Sequence, residues 1–364
     1  MLILSLIMSL GLLSGMILFR RQTVPQASGQ DNAPPALSVI IPARNEERNL
    51  PRLLESLKLQ TLQPDEVIVI DDHSEDRTRT IAESYGGVQV ISAPELPDGW
   101  TGKGWAVWNG YLQSTGDLLL FLDADVRLAD NALQSLVREQ QRQGGVLSVI
   151  PYHVTEKFYE KFAMLLNVLG VFAFTSPFEK RNQAKGLYGA CIMTTREDYD
   201  KIGGHHSIRS EMLDDLNLGA RFHKAGIKIS NYIGRELISF RMYPNGFKSE
   251  LEGFAKGAVL SASTLHPFTL IFIIAWILGL AASSCSFFFI GHSAFLPLFL
   301  GYVMYAIALS CINRFVGRFG IIHPLFHFLS VLFFLIVVGY SLYQSAVRRK
   351  VVWKGRYIDV GRDR

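Results

Sequence analysis

Two aspartates one residue apart, Asp123 and Asp125, close a continuous apolar run, Leu118-Leu119-Leu120-Phe121-Leu122. Such a run reads as a strand buried on both faces, the kind found inside a parallel sheet. Alternate side chains of a strand share a face, so both carboxylates are expected to leave the sheet edge together. Paired hard oxygen ligands suit Mg2+ or Mn2+, which typically join one or two carboxylates to substrate phosphates. Two more apolar runs end in polar residues. Residues 37–41 lead into Pro42-Ala43-Arg44-Asn45-Glu46, and 66–70 into Asp71-Asp72-His73-Ser74. Open α/β sheets bind ligands at the carboxyl ends of their strands, and three such endings on one edge describe a nucleotide pocket.

The elements between these endings alternate as in a doubly wound fold. Helices are expected over 46–60, with Leu50, Leu53, Leu54 and Leu57 at helical spacing, and over 77–85 and 105–113. A third strand is expected over 88–91, and the run from Leu118 makes the fourth. The chain has 364 residues, 49% of them hydrophobic, enough for one large catalytic domain plus membrane segments. Its 36 basic and 32 acidic residues give a net charge of only +4, which implies no nucleic-acid partner. Cys191, Cys285 and Cys311 form neither a metal spacing nor an obvious pair, which fits a reducing cytosol or the bilayer.

Residues 1–19 are apolar and uncharged, near spanning length, and Arg20 and Arg21 follow at once. That order reads as an anchor with its amino end outside, not as a cleaved signal peptide. Residues 20–35 read as a linker, and 36–256 as a cytosolic catalytic domain. A crossing at the apolar stretch 162–175 would separate Asp123 from the later acidic pair Asp214-Asp215, so it reads as a buried or interfacial helix. Residues 257–346 read as membrane helices, with candidates at 268–290, 294–312 and 325–345. The middle one is weakest, holding Pro297 and Gly301. Three full spans would leave the basic tail 347–364 outside, against the positive-inside tendency, whereas two would keep it cytosolic. Two to three spans are therefore expected in a multi-pass cell-membrane protein.

Pro42-Ala43-Arg44-Asn45-Glu46-Glu47, Asp71-Asp72-His73-Ser74, Gly102-Lys103, Asp123-Ala124-Asp125 and Asp214-Asp215 occur in that order. Together they resemble family-two glycosyltransferases, over about residues 37–256. The resemblance implies an α/β GT-A domain that binds a nucleotide sugar on a mixed, doubly wound sheet. It implies that Glu46 and Asp72 contact the ribose and base, with Pro42, Ala43 and Arg44 lining that pocket. Lys103 would sit near the diphosphate, and Asp123 and Asp125 would hold Mg2+ or Mn2+. Asp215 falls on the catalytic base, with Asp214 where the family usually has Glu and Asn217 where it has a second Asp. Gly189-Ala190-Cys191 resembles the acceptor-side strand. The Gln-x-x-Arg-Trp signature of polymer-making relatives is absent over 241–256, which implies transfer of one sugar.

Two narrower stretches, Glu95-Leu96-Pro97-Asp98-Gly99-Trp100-Thr101-Gly102-Lys103 and Trp353-Lys354-Gly355-Arg356-Tyr357, resemble the carotenoid-modifying branch. That implies UDP-glucose as donor and the carboxylate of a C30 carotenoic acid as acceptor, with other carotenoid-pathway enzymes as partners. Hopanoid-associated transferases are similar in the first stretch. A hopanoid, polyprenyl phosphate or diacylglycerol acceptor therefore stays open. A non-catalytic nucleotide-sugar-binding subunit is the rival of another class, against which the intact Asp123, Asp125 and Asp215 count.

The chemistry follows from the residue types as well. Breaking a sugar–diphosphate bond leaves growing negative charge, which a divalent cation and Lys103 would stabilise. A base across the sugar would direct in-line attack and invert the anomeric carbon. His205 and His206 precede Asp215 by a loop and could assist, but a Gly-flanked loop favours their exposure to solvent.

Overall fold

Strand-forming runs and amphipathic helices alternate through the first half of the chain. A computed structural model describes residues 2–27, 34–211, 213–255, 262–344, 350–353 and 356–359. Two units result, one of Arg21–Tyr152 with Gln183–Phe240, the other of Met1–Arg20, His153–Asn182 and Arg241–Arg364.

In chain order the strands are β1 (Leu37–Ala43), β2 (Glu66–Asp71), β3 (Val88–Ser92), β4 (Leu118–Leu122) and β5 (Val126–Leu128), then β6 (Val146–Ile150), β7 (Tyr152–Val154), β8 (Cys191–Thr195), β9 (Ile229–Ile233) and β10 (Ile238–Phe240). Seven of them form one sheet in the order β3-β2-β1-β4-β8-β6-β9. β1 pairs in parallel with β2 and β4, and β2 with β3. β8 runs antiparallel to both β4 and β6, which makes the sheet mixed. The antiparallel register sets Cys191 opposite Leu122, so the start of β8 meets the end of β4. That juxtaposition brings the residues before Cys191 to the edge where Asp123 emerges.

The packing follows the residue pattern. All five residues of β4 are buried, as expected of a strand covered on both faces. Helix Leu50–Lys58 buries Leu50, Leu53, Leu54 and Leu57, its one apolar stripe. Each such side chain contributes about 1.5–3 kcal/mol by leaving water. Helix Gly102–Gln113 turns small residues, Gly104, Ala106, Val107 and Gly110, toward the core. A Cβ on Gly110 would lie 2.7 Å from the Ile40 side chain, so only glycine permits this approach. Thr101 caps the helix by accepting the Gly104 N–H at 3.3 Å.

The second unit gathers the apolar helices. Tyr159–Arg181, Pro267–Phe289, Phe295–Val316 and His323–Tyr343 are long and apolar enough to cross a membrane, and Leu2–Leu18 is a shorter apolar helix. The chain is accordingly a membrane-associated protein. Half of the Tyr159–Arg181 window is buried, against a third in the other three, so this helix lies more deeply within its unit. Gly11 and Gly279 let Leu2–Leu18 and Pro267–Ser284 approach, a Cβ on Gly11 falling 3.0 Å from the Gly279 Cα. Large apolar side chains such as Leu6, Leu10, Ile271, Leu300 and Leu335 remain exposed on these helices. Pro297 stands in the first turn of Phe295–Val316, where its missing N–H breaks no helical hydrogen bond. Lys350–Trp353 and Arg356–Asp359 pair antiparallel. Arg348, Arg349, Lys354, Gly355, Arg362, Asp363 and Arg364 of the tail, and Lys256 and Gly257, lie outside the described residues.

Candidate active site

The turns that follow β1 and β2 are bound to each other. Asp72 donates its N–H to the Ala43 carbonyl at 2.8 Å. The Arg44 guanidinium donates to the Asp72 carbonyl at 2.7 Å and stands 3.9 Å from the Asp72 carboxylate. Asn45 N–H donates to the Ser74 hydroxyl at 3.0 Å, and its side-chain oxygen accepts from Glu75 N–H at 2.8 Å. Glu46 donates its N–H to the Thr78 hydroxyl at 2.7 Å, and its carboxylate accepts from the Asn49 amide at 2.8 Å. Asn45 and His73 hold φ of 54° and 53°. Left-handed backbone at non-glycine residues concentrates at ligand sites, where the surroundings enforce it. Pro42, Ala43, Arg44, Glu46 and Asp72 are thus collected on one sheet edge.

A cleft opens at the same edge. Pro42, Lys103, Asp123, Gly189, His205, Asp214 and Asp215 line it, over an apolar floor that includes Phe121 and Ile192. The Lys103 ammonium reaches the Asp123 carboxylate at 2.6 Å. Burial opposes a charge on Lys103, but Asp123, Asp214 and Asp215 outweigh it and hold the ammonium protonated far above its ordinary range. Asp215 stands in the first turn of helix Asp214–Lys224. Its carboxylate accepts from Gly189 N–H at 3.1 Å and from Leu216 N–H at 2.9 Å. Burial, then the neighbouring Asp214 charge, push its carboxyl up to about 6, with Lys103 and the two N–H donors pulling the other way. A Cβ on Gly189 would lie 3.1 Å from the Asp215 oxygen, so glycine leaves room for that carboxylate.

Asp123 and Asp125 differ from the sequence expectation. β4 stops at Leu122, and the Val126 N–H donates to the Asp123 carbonyl at 3.2 Å. The pair therefore sits in a tight turn into β5, not on alternating strand positions. Asp123 lines the cleft, and Asp125 stands in the turn beside it. Among the described residues no three His, Cys, Asp or Glu side chains form a ready metal cage. The donor set still suits a hard cation. Three carboxylates face one ammonium in the cleft, and Mg2+ or Mn2+ takes its remaining ligands from phosphates and water. His206 is exposed, as a Gly-flanked loop suggests, but His205 is 4% exposed and lines the cleft. Its burial was hidden in the sequence because its partners, Tyr199 and Phe121, come from other elements.

The profile described as "Glycosyl transferase family 2" matches residues 38–203. The 4,4'-diaponeurosporenoate glycosyltransferase of Staphylococcus aureus (strain MRSA252) is 32% identical over 373 residues, covering 99% of this chain and 98% of that protein. The chain belongs to glycosyl transferase family 2. It is a glycosyltransferase. A second relative, the enzyme of the same name from Staphylococcus haemolyticus (strain JCSC1435), is 32% identical over 363 residues, covering 96% of each chain. A mannosyltransferase from Pyrobaculum calidifontis, solved with GDP-mannose and Mn2+, superposes with a TM-score of 0.55 over 94% of this chain and 99% of its own, at 17% identity. That likeness establishes the GT-A fold. The family 2 profile ends before Asp214, whereas the match to the Staphylococcus aureus enzyme extends over 99% of the chain.

Proposed function

We propose that the chain transfers one glucose from UDP-glucose to the carboxylate of a C30 carotenoic acid such as 4,4'-diaponeurosporenoate, inverting the anomeric carbon and forming a glycosyl ester. The observation that carries transfer chemistry is the meeting of the Lys103–Asp123 ion pair and the half-buried Asp215 in one cleft. The acceptor rests on the end-to-end likeness to enzymes named for that acid. In this reading Pro42, Ala43, Arg44, Glu46 and Asp72 bind the nucleoside. Lys103 orients the diphosphate and neutralises charge as the leaving group departs. Asp123 and Asp125 would hold Mg2+ or Mn2+, which supplies electrophilic stabilisation of the diphosphate. Asp215, rooted in a different helix, faces the acceptor. An acid with a pKa near 4 arrives already ionised, so Asp215 orients more than it deprotonates. The protein spans the cell membrane several times with its sheet unit in the cytosol, where nucleotide sugars are made, and other enzymes that handle the same apolar acid are its natural partners.

The test is direct. Full-length protein in detergent, given UDP-glucose, Mn2+ and 4,4'-diaponeurosporenoate, is expected to release UDP and a glucosylated polyene. UDP release that is independent of every polyene acid offered would sink the acceptor assignment.

A further inference from the structure

Gly203 and Gly204 hold φ of 73° and 48°, backbone that favours glycine, and they bend the chain into the short turn Gly204–Ile208. This turn delivers His205 to the cleft beside Lys103, Asp214 and Asp215. The His205 Nδ1 lies 2.7 Å from the Tyr199 hydroxyl, and the His205 N–H donates to the same oxygen at 3.0 Å. Tyr199 is 0% exposed, so its O–H proton needs an acceptor inside the protein. Nδ1 is the acceptor in reach. A hydroxyl that donates to Nδ1 leaves the ring proton on Nε2. Burial above all, with Lys103 aiding and Asp214 opposing, pushes the imidazole down to about 4, so the ring is neutral at pH 7.

Asp214 and Asp215 repel an incoming carboxylate, and Lys103 is engaged by Asp123. We propose that His205 is a specificity-determining residue whose Nε2–H donates a hydrogen bond to the acceptor carboxylate and seats it beside Asp215. The inference rests on the carboxylate acceptor argued above. The seated carboxylate oxygen forms the new bond to the anomeric carbon. The bond from that carbon to the diphosphate oxygen breaks, and its electron pair leaves with UDP. No proton moves at the acceptor. The fixed tautomer matters because a ring nitrogen without its proton would repel a carboxylate and suit a hydroxyl instead. Tyr199 therefore acts as a positioning residue through the imidazole.

The experiment compares two acceptors, 4,4'-diaponeurosporenoate and the alcohol of the same polyene, with full-length wild type, His205→Phe and His205→Gln. Phe fills the volume without a donor, and Gln restores an N–H. His205→Phe is expected to lower kcat/KM for the acid about 10- to 100-fold, the worth of a hydrogen bond to a charged group, and to lower the acid-to-alcohol ratio with it. UDP affinity, measured on the same preparations, stays within about 2-fold, a margin of a few tenths of a kcal/mol. His205→Gln recovers most of the ratio. A ratio unchanged in His205→Phe, in a wild type that prefers the acid, overturns this inference alone. A wild type that glycosylates only the alcohol overturns the acceptor reading and this inference together.

Discussion

Asp215 is a carboxylate with two backbone donors and a nearby ammonium, and its pKa is nevertheless raised. Burial and the Asp214 charge outweigh the three groups that favour ionisation. The sign of the consequence depends on the acceptor. A hydroxyl nucleophile needs Asp215 without its proton, so its rate should fall as pH drops through about 6. A carboxylate nucleophile, with a pKa near 4, should keep its rate across that window. Rate–pH profiles with the paired acid and alcohol check this, and parallel acid limbs near 6 would contradict it. Asp215→Asn carries the same logic further. Its cost with an alcohol should approach the full general-base factor of about 100- to 10,000-fold, and with a carboxylic acid it should be far smaller. Lys103 is the other residue on which the cleft depends. Lys103→Met should raise the donor KM and lower kcat, because it removes charge from the leaving diphosphate and leaves Asp123 without its ammonium. Steady-state kinetics in UDP-glucose would expose a merely structural lysine by leaving the donor KM unchanged.

Helix starts and strand ends set these side chains in place, and substitutions there should act on activity through geometry. Thr101→Ala removes the cap two residues before Lys103 and should cost about 1 kcal/mol of stability, seen as a lower thermal midpoint. Gly189→Ala places a Cβ against the Asp215 carboxylate and should cost about 10- to 100-fold in turnover, since small displacements of a reacting group are that expensive. Wild-type turnover in Gly189→Ala would show that Asp215 tolerates displacement. The sequence announced these elements unevenly. β4 was legible because a short apolar run closed abruptly by two acidic residues suits a strand buried on both faces. The Leu50–Lys58 helix was legible from its leucine spacing, but the expected start at residue 46 was early. Glu46 spends its N–H on Thr78 and its carboxylate on Asn49, a turn built by contacts 32 residues apart as well as local ones. The helix expected from residue 105 begins at Gly102, because the Thr101 side chain supplies the cap that periodicity does not reveal. Asp123 and Asp125 were legible as a pair but not as a turn, since their geometry depends on where β5 begins.

Two units divide the labour of the whole chain, one carrying the GT-A sheet and one the apolar helices. The parallel sheet edge, read from three polar strand endings, was legible because it is a property of chain order. The burial of His205 was not, because it depends on partners brought together only by the fold. Two properties of the whole molecule follow from the proposed function. Excess chelator should abolish transfer, and Mn2+ or Mg2+ should restore it, since paired carboxylates favour hard ions. Full turnover in chelator would remove Asp123 and Asp125 from metal binding. Arg77 has a side chain 80% exposed in the sheet unit. Arg77→Cys, with Cys285 and Cys311 replaced by serine, should resist an impermeant maleimide in intact cells and react after lysis. Labelling before lysis would place the sheet unit outside. The central claim is that the new bond is an ester, and its most direct test is the linkage in the product. Full-length protein, labelled UDP-glucose and 4,4'-diaponeurosporenoate should give a glucosylated polyene whose label is released by mild alkali with recovery of the free acid. A product that holds its label through alkali would contradict the claim.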